Sequence, residues 1–100
     1  MNRNRVMLSG ALIAREELRY TPAGMAALKF RIGHGSEQVE AGLSRSVHLE
    51  IDAVALGEIA EKLSHVPMPG EYSFEGFLAL RNKLSRTPVL HVKHFELNRG

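Results

Sequence analysis

"VHLEIDAVALGEIAEKLSHVPMPGEYSFEGFLAL", residues 47–80, changes its hydrophobic period twice. Val47, Leu49 and Ile51 alternate with His48, Glu50 and Asp52, the period of two that marks a half-buried strand. Leu56, Ile59, Ala60 and Leu63 then fall at i, i+3, i+4 and i+7, with Glu58, Glu61 and Lys62 opposite, which predicts a short amphipathic helix. Asp52 suits its N-cap, and "SHVPMPG" (64–70) ends it. Tyr72, Phe74, Gly76, Leu78 and Leu80 restore the period of two. One helix is therefore enclosed between two strands.

Upstream, Val6, Leu8, Gly10 and Leu12 share one parity and Met7, Ser9, Ala11 and Ile13 the other. Both parities are largely apolar, so this strand is buried on two sides or pairs with a second subunit. Gly10 predicts a bulge or bend. In "TPAG" (21–24), Pro22 and Gly24 occupy the second and fourth positions of a type I turn. Leu28, Phe30 and Ile32 alternate with Lys29, Arg31 and Gly33, a second strand with a basic outer face. The polar "GHGSEQVEAGLSR" (33–45) is expected to be a loop or hairpin end. A last strand spans residues 89–97, and its parity slip between Leu90/Val92 and Phe95/Leu97 predicts a bulge.

The resulting order, β-β-β-α-β-β in 100 residues, predicts an all-β fold: a five-stranded OB-fold barrel with one helix between strands 3 and 4, as a single domain over residues 1–100. An α+β sandwich accounts less well for the helix position. The hydrophobic content of 44% supports a modest core. No stretch approaches the roughly 20 apolar residues of a membrane span, and the start lacks the apolar run of a secretion signal. The absence of cysteine excludes disulfides and thiolate catalysis, and fits a cytoplasmic protein. No catalytic, metal-binding or cofactor constellation emerges. His91 and His94, three apart on a strand, point to opposite faces, and "GHGS" (33–36) lacks the Gly-Lys-Ser/Thr ending of a phosphate loop. Glu16–Glu17 and Glu58/Glu61 suit solvated faces.

The chain carries a net charge of only +2, yet no acid occurs from Gly76 to Phe95, where Arg81, Lys83, Arg86 and Lys93 gather. In this fold the loops joining strands 1–2 and 4–5 flank the nucleic-acid face. Arg81, Lys83 and Arg86 fall in one of them, and Arg19 and Tyr20 open the other. Lys29, Arg31, Arg45 and His48 are assigned to the outward parities of strands 2 and 3, so these groups are expected to converge on a phosphate-tracking groove. The acids are expected to gather near the helix and strand 3, away from the basic loop. Phe30, Tyr72, Phe74 and Phe95 lie on core parities, leaving Tyr20 and Phe77, with His48 a lesser third, to stack on bases. Binding is expected to rest on charge more than stacking, to be salt-sensitive, and to lack sequence preference.

"NRVMLSGALIAREELRYTPAGMAALKFRI" (4–32) resembles the opening of bacterial single-stranded DNA-binding proteins, and "PGEYSFEGFLALR" (69–81) is similar to their Gly-x-x-Val-x-Val-x-Gly fourth strand. Within that superfamily the chain resembles the primosomal replication protein N (PriB) family, in its length, its "QVEAGLSR" segment (38–45) and its basic loop between strands 4 and 5. General single-strand binders continue into a long acidic-tipped tail, whereas this chain stops at "FELNRG". The resemblance implies a homodimeric, non-enzymatic OB-fold that binds single-stranded DNA and contacts the restart helicase PriA and the loader-recruiting protein DnaT. Arg45 matches a basic position of that family's binding face, Tyr20 falls near another, and Leu43 and His48 stand where an aromatic pair is frequent. Two other readings are an OB-fold adaptor that meets an acidic protein surface and an OB-fold RNA binder.

Overall fold

The computed structural model describes residues 2–98; Met1, Arg99 and Gly100, which include the end of "FELNRG", lie outside the described residues. The elements are β1 (Val6–Arg15), β2 (Arg19–Tyr20), β3 (Ala26–Glu40), β4 (Leu43–Leu56), α1 (Glu58–Leu63), β5 (Gly70–Leu80) and β6 (Pro88–Leu97). The sheet runs β1-β5-β6-β4-β3-β2, and β1 also pairs with β3, so five long strands close into a ring. Every pairing is antiparallel except β4–β6, which meet in parallel at Ala53–Leu90 and Val54–His91. This is the predicted OB-fold, with its helix between the third and fourth long strands.

The ring closes around one core. Leu12, Leu28, Ile32, Phe74 and Leu90 are buried on the inward parities, and Ala60 and Leu63 of α1 cover one end. Each large apolar side chain buried there contributes about 1.5–3 kcal/mol. Phe30, Tyr72 and Phe95, assigned to the core from parity, pack with Phe74 in a chain of ring contacts 5.9–6.0 Å apart. Arg15 donates from Nη1 to the carbonyls of Leu63 (2.9 Å) and Val66 (2.7 Å). A positive charge thus meets the negative end of α1 and fastens it to β1.

The predicted turn at Thr21–Gly24 is present: the Gly24 amide donates to the Thr21 carbonyl at 2.8 Å, and the Met25 amide to Thr21 Oγ1 at 3.1 Å. The parity slip in the last strand is also a bulge. Glu75 pairs with His94 and Gly76 with Val92, leaving Lys93 as the extra residue. Gly76 sits there because its Cα abuts the His91 carbonyl, where a Cβ has no room.

Four local expectations are corrected or narrowed. Asp52 does not cap the helix. It lies inside β4, which continues to Leu56 because Ala53 and Ala55 keep the inward parity and pair with Phe30 and Leu28. Leu56 accordingly belongs to the strand and is half exposed, and the helix is only six residues long, entered from Gly57 without a side-chain cap. Of the loop or hairpin end expected at residues 33–45, the structure shows the hairpin end, with strand on both sides of the turn. These residues extend the β3–β4 ladder in unbroken register to Glu40–Leu43, closed by the two-residue turn Ala41–Gly42. Both turn residues have positive φ (53° and 77°), the hairpin turn whose twist matches its strands. Finally, the bulge in β1 falls between Leu12 and Ala14 rather than at Gly10, which instead lets β1 approach the Gly33 carbonyl closely. Among the described residues no helix is long and apolar enough to cross a membrane.

Candidate nucleic-acid interface

Because Leu28, Phe30 and Ile32 turn inward, Lys29 and Arg31 stand on the outer face of β3, opposite Val54 and Asp52 of β4. Their side chains floor a groove of about 600 Å³, bounded by Arg15 on one side and by Arg81 and His91 on the other. It lies where this fold places nucleic acid.

Asp52 organises the floor. Its Oδ1 accepts from Arg31, with Nη2 at 2.9 Å and Nε at 3.1 Å, and its Oδ2 from Arg81 Nη2 at 2.8 Å. Glu50 Oε1 takes the remaining edge of Arg31, Nη1 at 3.3 Å. Desolvation acts to raise the Asp52 pKa, but hydrogen bonds and charge from Arg31, and then from Arg81, outweigh it and hold the carboxyl below its ordinary value. The Arg31 guanidinium is correspondingly raised, first by the hydrogen bond to Asp52, then by its charge, then by Glu50. The expectation that acids are kept away from the basic loop is therefore wrong at its root. An acid one strand away holds Arg81.

Beyond that root, the loop at 81–87 is shaped by Asn82, whose Oδ1 accepts from the amides of Leu84 (2.9 Å) and Ser85 (3.0 Å). This local turn presents Lys83, Leu84 and Arg86 to solvent, Leu84 at 94% exposure. Among the described residues Arg19, Lys29, Lys83, Arg86 and Lys93 have no ion pair.

The ten predicted site residues separate into distinct places. Arg31 and Arg81 meet in the groove, whereas Lys83 and Arg86 lie outside its lining, exposed on the loop that Arg81 begins. Arg19 pairs with Ala27 and so shares the outer face of Lys29, whereas Tyr20 pairs with the buried Ala26 and takes the opposite face. His48 lies farther along the outer face, against Gly35 in a shallow cleft with Ile13 and Gly33. Arg45 is not on that face: it pairs with Gln38, on the parity of Ile32, and bonds Glu40 Oε1 at 2.7 Å near the hairpin tip. Phe77 is half-buried and stacked on His91, centroids 4.9 Å apart and rings 11° from parallel, so one of its faces is already covered. Lys93 is exposed on the β6 bulge, outside the groove lining.

Asp52, Arg15 and His91 were missed as groove residues. His91 was legible as a strand histidine, but nothing local indicates that parallel pairing puts it beside Val54. The described residues hold no cluster of three or more His, Asp or Glu arranged for a metal ion. The floor is a surface that offers charge and hydrogen bonds to a ligand.

Comparison with known proteins places this surface in context. The model of a family described as "another single-strand binding protein family" matches residues 4–94. Replication restart protein PriB of Nitrosomonas europaea is 40% identical over 93 residues, covering 93% of this chain and 86% of that protein. The structure of PriB from Ralstonia solanacearum superposes with a TM-score of 0.90 at 30% identity, covering 98% of this chain and all of that one. The single-stranded DNA-binding protein of Thermus aquaticus gives a TM-score of 0.75 at 26% identity; 98% of this chain matches 51% of that one.

Proposed function

This chain belongs to the PriB family of single-strand binding proteins, and from that premise we propose that it is a single-stranded DNA-binding accessory of replication restart. The observation that carries the reading is the groove itself. Lys29 and Arg31 line its floor, and Lys83 and Arg86 are exposed without an ion pair on the loop that begins at the groove residue Arg81. Cations on the floor and on the adjoining loop suit a phosphate backbone, while the half-buried stack of Phe77 on His91 offers little for base reading. Binding is therefore electrostatic and independent of sequence. The similarity to PriB further supports contacts with the restart helicase PriA and with DnaT. Homodimerisation is supported by β1: Met7 and Ile13 are exposed on its outer face, and residues 6–10 pair with β5 on one side alone. Sedimentation that finds only monomer at micromolar concentration counts against the dimer.

Anisotropy of a labelled oligonucleotide, measured across a salt series, tests the DNA reading. Lys83→Ala with Arg86→Ala weakens binding and lowers the magnitude of the salt slope by about 1.4, at ~0.7 for each phosphate released from neutralisation on a single strand. Binding that ignores salt, or no binding at low salt, overturns the reading. Leu84, almost wholly exposed between these two cations, favours one second reading, a docking loop for an acidic protein surface. A double variant that binds DNA like wild type but loses the helicase selects that reading.

A further inference from the structure

We propose that Arg31 and Arg81 form a phosphate subsite in which Asp52 is the resident counterion, and that a backbone phosphate displaces it when single-stranded nucleic acid binds. The inference rests on the nucleic-acid reading above and adds to it a residue of the opposite charge. A carboxylate and a phosphate both present oxygens that accept two guanidinium bonds at once. Asp52 uses one oxygen for Arg31 on β3 and the other for Arg81 at the root of the β5–β6 loop, bridging two elements that the ladder does not join. The bridge is open to solvent: Arg31 and Arg81 are about half exposed, 49% and 48%, and Asp52 34%. Ion pairs that face water so fully contribute little net stability, so exchanging the carboxylate for another anion is inexpensive.

The arrangement has a selective consequence. Asp52 and Glu50 offset Arg31 and Arg81, so the two arginines together offer little net charge to an isolated phosphate. Cations without an ion pair stand nearby in the lining, at Lys29, and farther along the loop that Arg81 begins, at Lys83 and Arg86. A polymer that engages these three brings a further phosphate to the bridge at high local concentration, where it competes with Asp52. A free nucleotide or inorganic phosphate lacks that advantage. Asp52 therefore acts as a positioning and selecting residue that favours chains of phosphates over single ones.

The test measures binding of a labelled oligothymidylate, and of inorganic phosphate by NMR of the arginine side chains, for wild type, Asp52→Asn, Asp52→Glu and Glu61→Gln. Glu61 lies on the exposed side of α1, and its substitution adds the same unit of charge outside the groove lining. Asp52→Asn binds the oligonucleotide about fivefold more tightly, the scale of one exposed ion pair, and steepens the salt slope by about 0.7. It also gains binding of inorganic phosphate at Arg31 and Arg81. Asp52→Glu stays near wild type, and Glu61→Gln changes little. Far-UV circular dichroism confirms that each variant is folded. Equal or weaker binding by a folded Asp52→Asn, or a matching gain in Glu61→Gln, overturns the subsite while leaving the DNA reading intact. Failure of wild type and Asp52→Asn alike to bind at low salt overturns both.

Discussion

The β3–β4 hairpin has two ends built on different physics. From Ala26 to Ile32 its inward side chains are Ala26, Leu28, Phe30 and Ile32, all buried under the rest of the ring. From His34 to Glu40 the same ladder continues in the same register, yet nothing comparable covers it: Val39 and Leu43 are 78% and 71% exposed. The near end is held by burial. The far end is held by ladder hydrogen bonds, the Ala41–Gly42 turn, and polar cross-strand pairs such as Arg45–Glu40 and Ser46–Glu37. Regular strand geometry therefore says nothing about how firmly a strand is anchored; what its inward side chains meet decides that.

The sharpest way to break this contrast is to cut the same kind of side chain at each end. Leu28→Ala, at 1% exposure, removes core volume and costs about 2–5 kcal/mol, read from urea unfolding. A loss of the same size from Leu43→Ala contradicts the contrast outright. Gly42→Val comes next. A β-branched residue at φ 77° costs roughly 1–2 kcal/mol and frays the far end first, seen as faster amide exchange at 36–47 than at 26–32.

A smaller effect comes from acid. Asp52 has a lowered pKa in the folded chain, so its contribution is present above the unfolded carboxylate value near 4 and is lost as pH falls through the folded value. With both arginines about half exposed, the contribution is at most about 1 kcal/mol. Melting temperatures of wild type and Asp52→Asn should differ at neutral pH and converge in acid; a constant gap removes the carboxylate as the cause. The smallest effect is Leu43→Ala itself, within about 0.5 kcal/mol of wild type.

The same contrast explains what was legible in the chain. Strands that meet the core announce themselves by alternation, and Leu28–Phe30–Ile32 and Tyr72–Phe74 gave their parity directly. The far hairpin has no buried side, so its glycines, serines and glutamates carry no period and look like a loop. Ending the strand at Val47 also misplaced Arg45, which shares the parity of Val47, Leu49 and Ile51 once the ladder is carried on to Gln38. Asp52 was mistaken for a cap because an aspartate before an apolar stripe is a common helix start. Its actual partners, Arg31 and Arg81, lie 21 and 29 residues away, one on β3 and the other at the root of the β5–β6 loop. Long-range ion pairs leave no local signal. The basic loop, by contrast, needed only the order of elements to be placed.

The projecting hairpin has one further consequence. Beyond Gly33 it reaches about 23 Å, at roughly 3.3 Å per residue, as a ribbon only two strands wide. His48 lies on one side of that ribbon and Arg45 on the other. A polymer that touches both must fold over an edge whose backbones are only about 5 Å apart. A single strand bends that sharply with ease, whereas duplex DNA, with a persistence length of about 150 base pairs, does not. The narrowness of the ribbon thus means that a stiff ligand lying along it can touch one of these two side chains but not both.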